Sequence, residues 1–549
     1  MSDYYDLGTY SRKISTSSSD AQIWFNRGLL WGYGYNHEES VACYRRALEH
    51  DSGCAMAHWG IAYSSGCNYN KPWEGFDEDD AQRSLAAAFD ATQSALECAK
   101  SATPLERALI SALPARYPVR DPAEDMSIWN DEFANAMRDV YTQFSDDHDV
   151  VTLFAESIMN RTPWALWDLK TGNIAEGAGT AEAIGVLEKA LAQDGGMQHP
   201  GLLHMYIHLM EMSPHPERAL NVSDALRSLV PDAGHLNHMP THIDVLCGHY
   251  QRVVSSNEEA IISDRKFLER EGPMNFYSNY RCHDYHFKIY GAMFLGQYQT
   301  ALEAAQEMVS TLPEELLKVE SPPMADWLEG FISMTQHIYI RFGKWQEIID
   351  QALPENQSLF CVTTAMIYYA KAVAYAASGD VPSAKQHATF FEDAFSRVPD
   401  SRYIFNNSCL DILQIAREMM LGEIAYREED FDNAFAHLRK SVELDDNLEY
   451  DEPWGWMQPT RHALAALLLE QNRVEESAAV YRADLGLDDT LSRACQHPDN
   501  VWSLHGYHEC LVRLEKTDQA QLIKQRLDLA TARADVEIKS SCYCKMGSH

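Results

Sequence analysis

Two short segments carry histidines at a spacing that can do chemistry. Residues 199–212 read HPGLLHMYIHLMEM and residues 234–244 read GHLNHMPTHID; each holds an HxxxH pair, His204/His208 and His238/His242, and the pairs are 34 residues apart. Two imidazoles at i and i+4 of a helix have Cβ atoms about 6 Å apart, close enough for both to reach one first-row metal ion. A third group, CHDYHF at 282–287, adds His283 and His286. Residues 199–286 hold ten of the 22 histidines, where an even spread would place about three or four.

The residue types limit the chemistry. HMYIH is not the HExxH of a zinc protease, because Met205 stands where the general-base glutamate is needed. The nearest carboxylate on that helical face is Glu211, giving HxxxHxxE. A carboxylate-bridged dinuclear centre wants several glutamates at ExxH spacing, and this region lacks them. Mostly imidazole ligation suits iron or copper, both redox-active with dioxygen, with zinc as the alternative. The sequence therefore predicts metal ligands at His204, His208, His238, His242, His283 and His286, with Glu211 and Tyr290 as catalytic groups. The expected substrates are a small organic molecule and dioxygen. The tryptophans Trp59, Trp73, Trp164, Trp167, Trp454 and Trp456 read as interhelix packing, with one or two available to wall a pocket.

The elements that must position these residues recur along the chain. The unit is a helix, a tight turn with a glycine or its substitute, and a second helix opening with a small residue, as in GQYQTALEAAQEM (296–308), GKWQEIIDQAL (343–353), SGDVPSAKQHA (378–388), REEDFDNAFAHLRKSVEL (427–444) and QNRVEESAAVYRADL (471–485). This pattern resembles the tetratricopeptide repeat, a 34-residue helical hairpin. With the turn residue at position 15 and the small residue at 20, position 5 of three units is His204, His238 and His286, position 9 is His208, His242 and Tyr290, and position 2 is Gly201, His235 and His283. His337 takes position 9 of a later unit, and His462 and His505 take position 5 of two more. Positions 2, 5, 9 and 12 share one helical face, expected to line the inside of an all-α superhelix.

One superhelix is expected over residues 21–535, with mobile ends at 1–20 and 536–549. Pro240, inside HMPTH, must open a helix or kink one. Asn36 before HEES and His215 before PER read as helix caps.

The stretches FNRGLLWGYGYNHEESVACYRRAL, CAMAHWGIAY, HPGLLHMYIHLMEMSPHPERAL, AGHLNHMPTHID, YDEPWGWMQPTRHAL and NVWSLHGYHECL together resemble a family of bacterial and fungal tetratricopeptide-like proteins with HxxxH, GHLxHMPSH and HNxHF phrases. The resemblance implies the fold and a role for His37, His204, His208, His235, His238, His242, His283 and His286. It implies no particular reaction. Thr241 stands where serine is usual and Asp284 where asparagine is usual, and neither change removes a candidate ligand.

Composition narrows the partners. A formal charge of -36 repels phosphate backbones and anionic lipid, so neither nucleic acid nor a membrane surface is expected. With no apolar leader or span and twelve scattered cysteines, the sequence reads as a cytoplasmic protein with mainly reduced thiols.

Overall fold

The computed structural model describes residues 4–545. Helices dominate; the strands among these residues are Tyr403–Ile404 and Asn407–Ser408, which pair as a small antiparallel hairpin. No described helix is long and apolar enough to cross a membrane.

The repeat register is written in the backbone. At position 15 the chain must turn by a left-handed residue, and Gly248, Gly296, Gly343 and Gly379 all have positive φ. Tyr35, Glu429, Asn472 and Glu515 adopt the same conformation without glycine's freedom. Five residues on, Ser40, Val253, Ala301, Ile348, Ala384, Ala434, Ser477 and Ala520 are all buried. A small or slim side chain there lets the second helix press against the first, as in the hairpin Thr460–Glu470 and Val474–Asp484. The exception is Pro214, where a four-residue 3₁₀ turn, Pro216–Ala219, replaces the start of a regular second helix.

Helix ends follow local chemistry. Asn36 caps His37–His50 by accepting from the Glu39 N–H at 3.3 Å. Thr103 and Glu106 form a reciprocal capping box on Pro104–Arg116. His215 makes no such cap; its ring faces Glu217 instead.

Internal contacts divide the chain into two compact units, one of residues 1–243 and 258–281, the other of residues 244–257 and 282–549. In the first unit, residues 4–18 run extended across the helices. Leu7 and Ile14 are buried, the Asp6 N–H donates to Asp232 at 2.7 Å, Arg12 pairs with Asp147 at 2.9 Å and Asp149 at 2.5 Å, and the Ser15 N–H donates to Glu106 at 2.7 Å. In the second unit, residues 536–545 also pack: Ser540, Ser541 and Cys544 are buried, and Arg341 donates to the Ser541 carbonyl at 3.3 Å. The sequence sets these segments apart as mobile ends; residues 1–3 and 546–549 of them lie outside the described residues. Cys542 and Cys544 form a disulfide, while Cys43, Cys54, Cys67, Cys361, Cys409 and Cys510 are buried thiols.

Candidate metal centre

His199, Pro200 and Gly201 start the helix that carries the first histidine pair. His199 caps Pro200–Glu211 by accepting from the Leu202 N–H at 3.1 Å, and its Nε2 faces Asp149 at 3.1 Å. Pro200 at the first position gives up an N–H that had no helical partner. Every residue from Pro200 to Glu211 is buried, so no polar group on this helix is hydrated; each must find a protein partner, a bound ion or a trapped water.

His204 finds one on Nδ1, which lies 2.6 Å from the carbonyl of Tyr33. A carbonyl only accepts, so the proton is on Nδ1 and Nε2 carries the lone pair. That Nε2 is buried and has no hydrogen-bond partner. His208 repeats the arrangement, with Nδ1 3.0 Å from Glu211 Oε1 and Nε2 buried without a partner. The two rings are 4.8 Å apart between centroids.

Gly234 opens the short helix Gly234–His238, and a side chain there would collide with Asp264, whose Oδ1 would lie 2.1 Å from a Cβ. That close approach sets the height of His235, whose ring centre is 5.0 Å from that of His204. His204, His208 and His235 each offer a ring nitrogen within 4.8 Å of the other two, and all three side chains are fully buried.

Pro240 takes the first position of the next helix, Pro240–Leu246. Met239 keeps helical dihedrals, φ -49° and ψ -38°, so the i,i+4 relation survives the break: His238 and His242 have centroids 4.8 Å apart, the same as the first pair. Their Nε2 atoms are 2.8 Å apart, and His242 Nδ1 lies 2.5 Å from Glu211 Oε2. Glu211 thus spans the two pairs, one oxygen to each.

Electrostatics keep the rings neutral. Burial pushes His204 well below the ordinary histidine range, reinforced by the ring of His208, and pushes His208 down to about 3. Burial also raises the Glu211 carboxyl well above its usual range. Neutral imidazoles with free Nε2 lone pairs are the form that binds a metal.

Aromatic rings enclose the group. Tyr35 lies over His208 and His235 at 5.9 and 5.5 Å, Tyr69 is 5.1 Å and Trp164 5.8 Å from His208, and Tyr280 meets His235 edge-on at 4.9 Å. Trp167 is structural, donating to the Leu209 carbonyl at 2.8 Å. His37 sits edge-on to Tyr35 at 5.8 Å.

His204, His208, Glu211, His238 and His242 converge in the first unit. His283, His286 and Tyr290 belong to the second, where His283 and His286 meet Phe405 and Tyr290 packs on Phe294 at 4.5 Å. His337, His462 and His505 are also in the second unit. His235 lies with His204 and His208; the sequence placed it at position 2 of the repeat and the resemblance gave it a role, while leaving open whether it joins the site. Tyr35 was overlooked because its turn position normally carries glycine.

Among known proteins, the tetratricopeptide repeat pattern matches residues 419–448. No curated protein matches the sequence. Solved structures similar to this chain include IFIT1 bound to Gppp-AAAA (12% identity, 86% of this chain and 90% of that one, TM-score 0.33). Yeast Tom70 is similar at 11% identity over 92% and 99% of the two chains, TM-score 0.29. A chain of the APC/C hetero-tetramer Cut9–Hcn1 is similar at 11% over 95% of each, TM-score 0.27. The matched repeat, the helical hairpins and their shared turn make this chain a tetratricopeptide-like, all-α repeat protein whose buried histidine groups can hold a metal ion.

Proposed function

We propose that the first unit holds a transition metal on His204, His208 and His235, and that the protein is a metal-dependent oxidoreductase acting with dioxygen on a small organic molecule. The observation that carries this reading is the pair of buried, unpartnered Nε2 atoms on His204 and His208, each on a ring whose other nitrogen is hydrogen-bonded to an oxygen. That is the pattern of metal-bound histidine: an outer acceptor fixes the tautomer and ring orientation and leaves a lone pair for the ion.

The donor set also bears on which ion. Both oxygens of Glu211 are taken by imidazole Nδ1 atoms, so the glutamate acts as an outer acceptor and not as a ligand. An all-nitrogen centre suits copper better than the iron of a two-histidine, one-carboxylate site. Iron is the second choice. A bound copper or iron supplies one-electron chemistry with dioxygen; the protein's own contribution is to hold the rings, exclude water and stack Tyr35 over them. A zinc Lewis-acid centre is the alternative, since three histidines are also a zinc set. A peptide-gripping scaffold fits less well, because these positions are fully buried and carry no lysine or arginine.

Elemental analysis of protein purified without an affinity tag tests this. The expected result is near-stoichiometric copper or iron, lost in a His208→Ala/His242→Ala double variant that still folds. Zinc at that level would support the alternative, and metal-free protein that does not take up copper, iron or zinc would overturn both.

A further inference from the structure

The second unit contains another set of buried imidazoles with a different environment. His286 is fully buried and neither ring nitrogen has a hydrogen-bond partner; His337 is 1% exposed and its Nδ1 lacks one as well. A neutral imidazole has one N–H and one lone pair, so His286 presents a donor and an acceptor side by side. Burial holds both rings in that neutral form, each down to about 3. Each buried polar atom left unsatisfied costs about 1–3 kcal/mol, so these nitrogens call for a partner.

A metal is not the partner the surroundings suit. Among the described residues, His286 belongs to none of the groups of three or more histidine, cysteine or carboxylate residues whose ligand atoms converge. The walls are aromatic instead. Phe331 meets His286 edge-on at 5.2 Å, Phe405 lies nearly parallel to it at 6.4 Å and packs on Phe331 at 5.3 Å, and Trp456 meets His337 edge-on at 4.7 Å. Charge is spoken for as well: Arg341, the cation that acts on His337, donates to His462 Nδ1 at 3.0 Å and to the Ser541 carbonyl, and Asp451 accepts from the Asn406 N–H at 3.0 Å. An ionised ligand would gain no free counter-charge from either of these groups.

Phe405 gives this site a boundary with solvent. It sits in the turn of the hairpin Tyr403–Ile404 and Asn407–Ser408, with φ 48°, and its side is 37% exposed while its ring covers His286. A bulky residue at positive φ costs about 1–3 kcal/mol and persists only where neighbours hold it. Here they do, because Asn406 and Asn407 are tied to residues 449–451 by the Asn406 amide on the Tyr450 carbonyl (2.8 Å) and the Asn407 amide on the Glu449 carbonyl (2.9 Å). The turn is fixed, and the ring swings by rotation about its own side-chain bonds.

We infer that His286 and His337 form a binding site for a small uncharged aromatic molecule bearing a hydroxyl or amino group, walled by Phe331 and Trp456 and closed by Phe405. The hydroxyl or amino group both donates and accepts, matching His286, and an aromatic ring is the apolar part that aromatic neighbours favour. This reading stands apart from the metal centre of the first unit.

Calorimetric titration of phenol and of benzoate into the full-length protein tests it. Phenol is expected to saturate one site per chain, with benzoate at least tenfold weaker. His286→Phe should weaken phenol at least tenfold, and His337→Phe provides the same test if that variant does not fold. Phe405→Ala should raise both the association and the dissociation rate in stopped-flow. The same results are expected in the His208→Ala/His242→Ala background. Equal binding of benzoate, no saturable phenol site, or phenol affinity unchanged in both histidine variants would overturn the assignment.

Discussion

Two buried clusters in this molecule are built from nearly the same parts, several histidines around one acid, and they end in opposite states. Around Asp484 in the second unit, His462 Nε2 (3.0 Å), His497 Nδ1 (2.8 Å), the Asn500 amide (3.0 Å) and the Ser503 hydroxyl (2.6 Å) all converge on one carboxylate. The remaining nitrogen of His462 accepts from Arg341 at 3.0 Å. Burial alone would raise the Asp484 pKa, but the two histidines hold it well below the usual range. Around Glu211, by contrast, hydrogen bonds consume only one nitrogen each of His204 and His208, and the others are left over. A histidine cluster whose valences are all used is a lock; one with spare lone pairs aimed inward is a site.

Breaking the lock should give the largest effect. Asp484→Ala strands several buried donors and is expected to cost about 3–5 kcal/mol of stability in urea unfolding, while metal content per folded chain stays at the wild-type level. Loss of metal in a folded Asp484→Ala protein would erase the distinction.

Acid should act next, on the neutral imidazoles. Burial lowers His337 to about 3 and His462 to about 4, against about 6.5 in an unfolded chain. Between those values the unfolded state binds protons that the folded state does not, so stability present above about pH 6.5 is lost as pH falls towards 3. Urea midpoints measured from pH 7.5 to 5 should therefore decline; a flat profile would mean these rings titrate in the fold as they do in the unfolded chain.

Glu211→Gln sharpens the contrast from the other side. It keeps the side chain's size but weakens the acceptor for two imidazoles, and is expected to lower copper affinity about 10–100-fold, read by competition with a chelator, with little change in melting. Thr103→Ala should do the least: it removes the exposed half of a capping box, costs about 1 kcal/mol, and leaves metal content unchanged.

Much of this was legible in the sequence because the repeat register is a local property. Position 15 could be read from Gly296 and Gly343, and counting back from it put His204, His208, His238 and His242 on one face before any contact was known. The 34-residue echo survived Pro240 because a proline at a first helical position keeps the dihedrals helical. What could not be read is how valences are spent. Position 12 placed Glu211 beside the first pair, but only folding shows both of its oxygens facing imidazoles, the contact on which its proposed orienting role rests. Likewise His462 and His204 share position 5, and nothing in spacing says that one meets Asp484 and Arg341 while the other meets a backbone carbonyl. His283 and His286 followed the register too, and both belong to the second compact unit.

The extended segment at residues 4–18 sets an order of events during synthesis. A stack of helical hairpins can assemble as it leaves the ribosome, each unit closing on the one before. This segment cannot: its partners Glu106, Asp147, Asp149 and Asp232 lie about 90 to 230 residues downstream, so it docks only after they are made, late in the assembly of its unit. Such long-range closure slows folding relative to the local hairpins. Docking of residues 4–18 therefore reports completion of the histidine-bearing unit, and a charged substitution at the buried Leu7 or Ile14 would meet that final step.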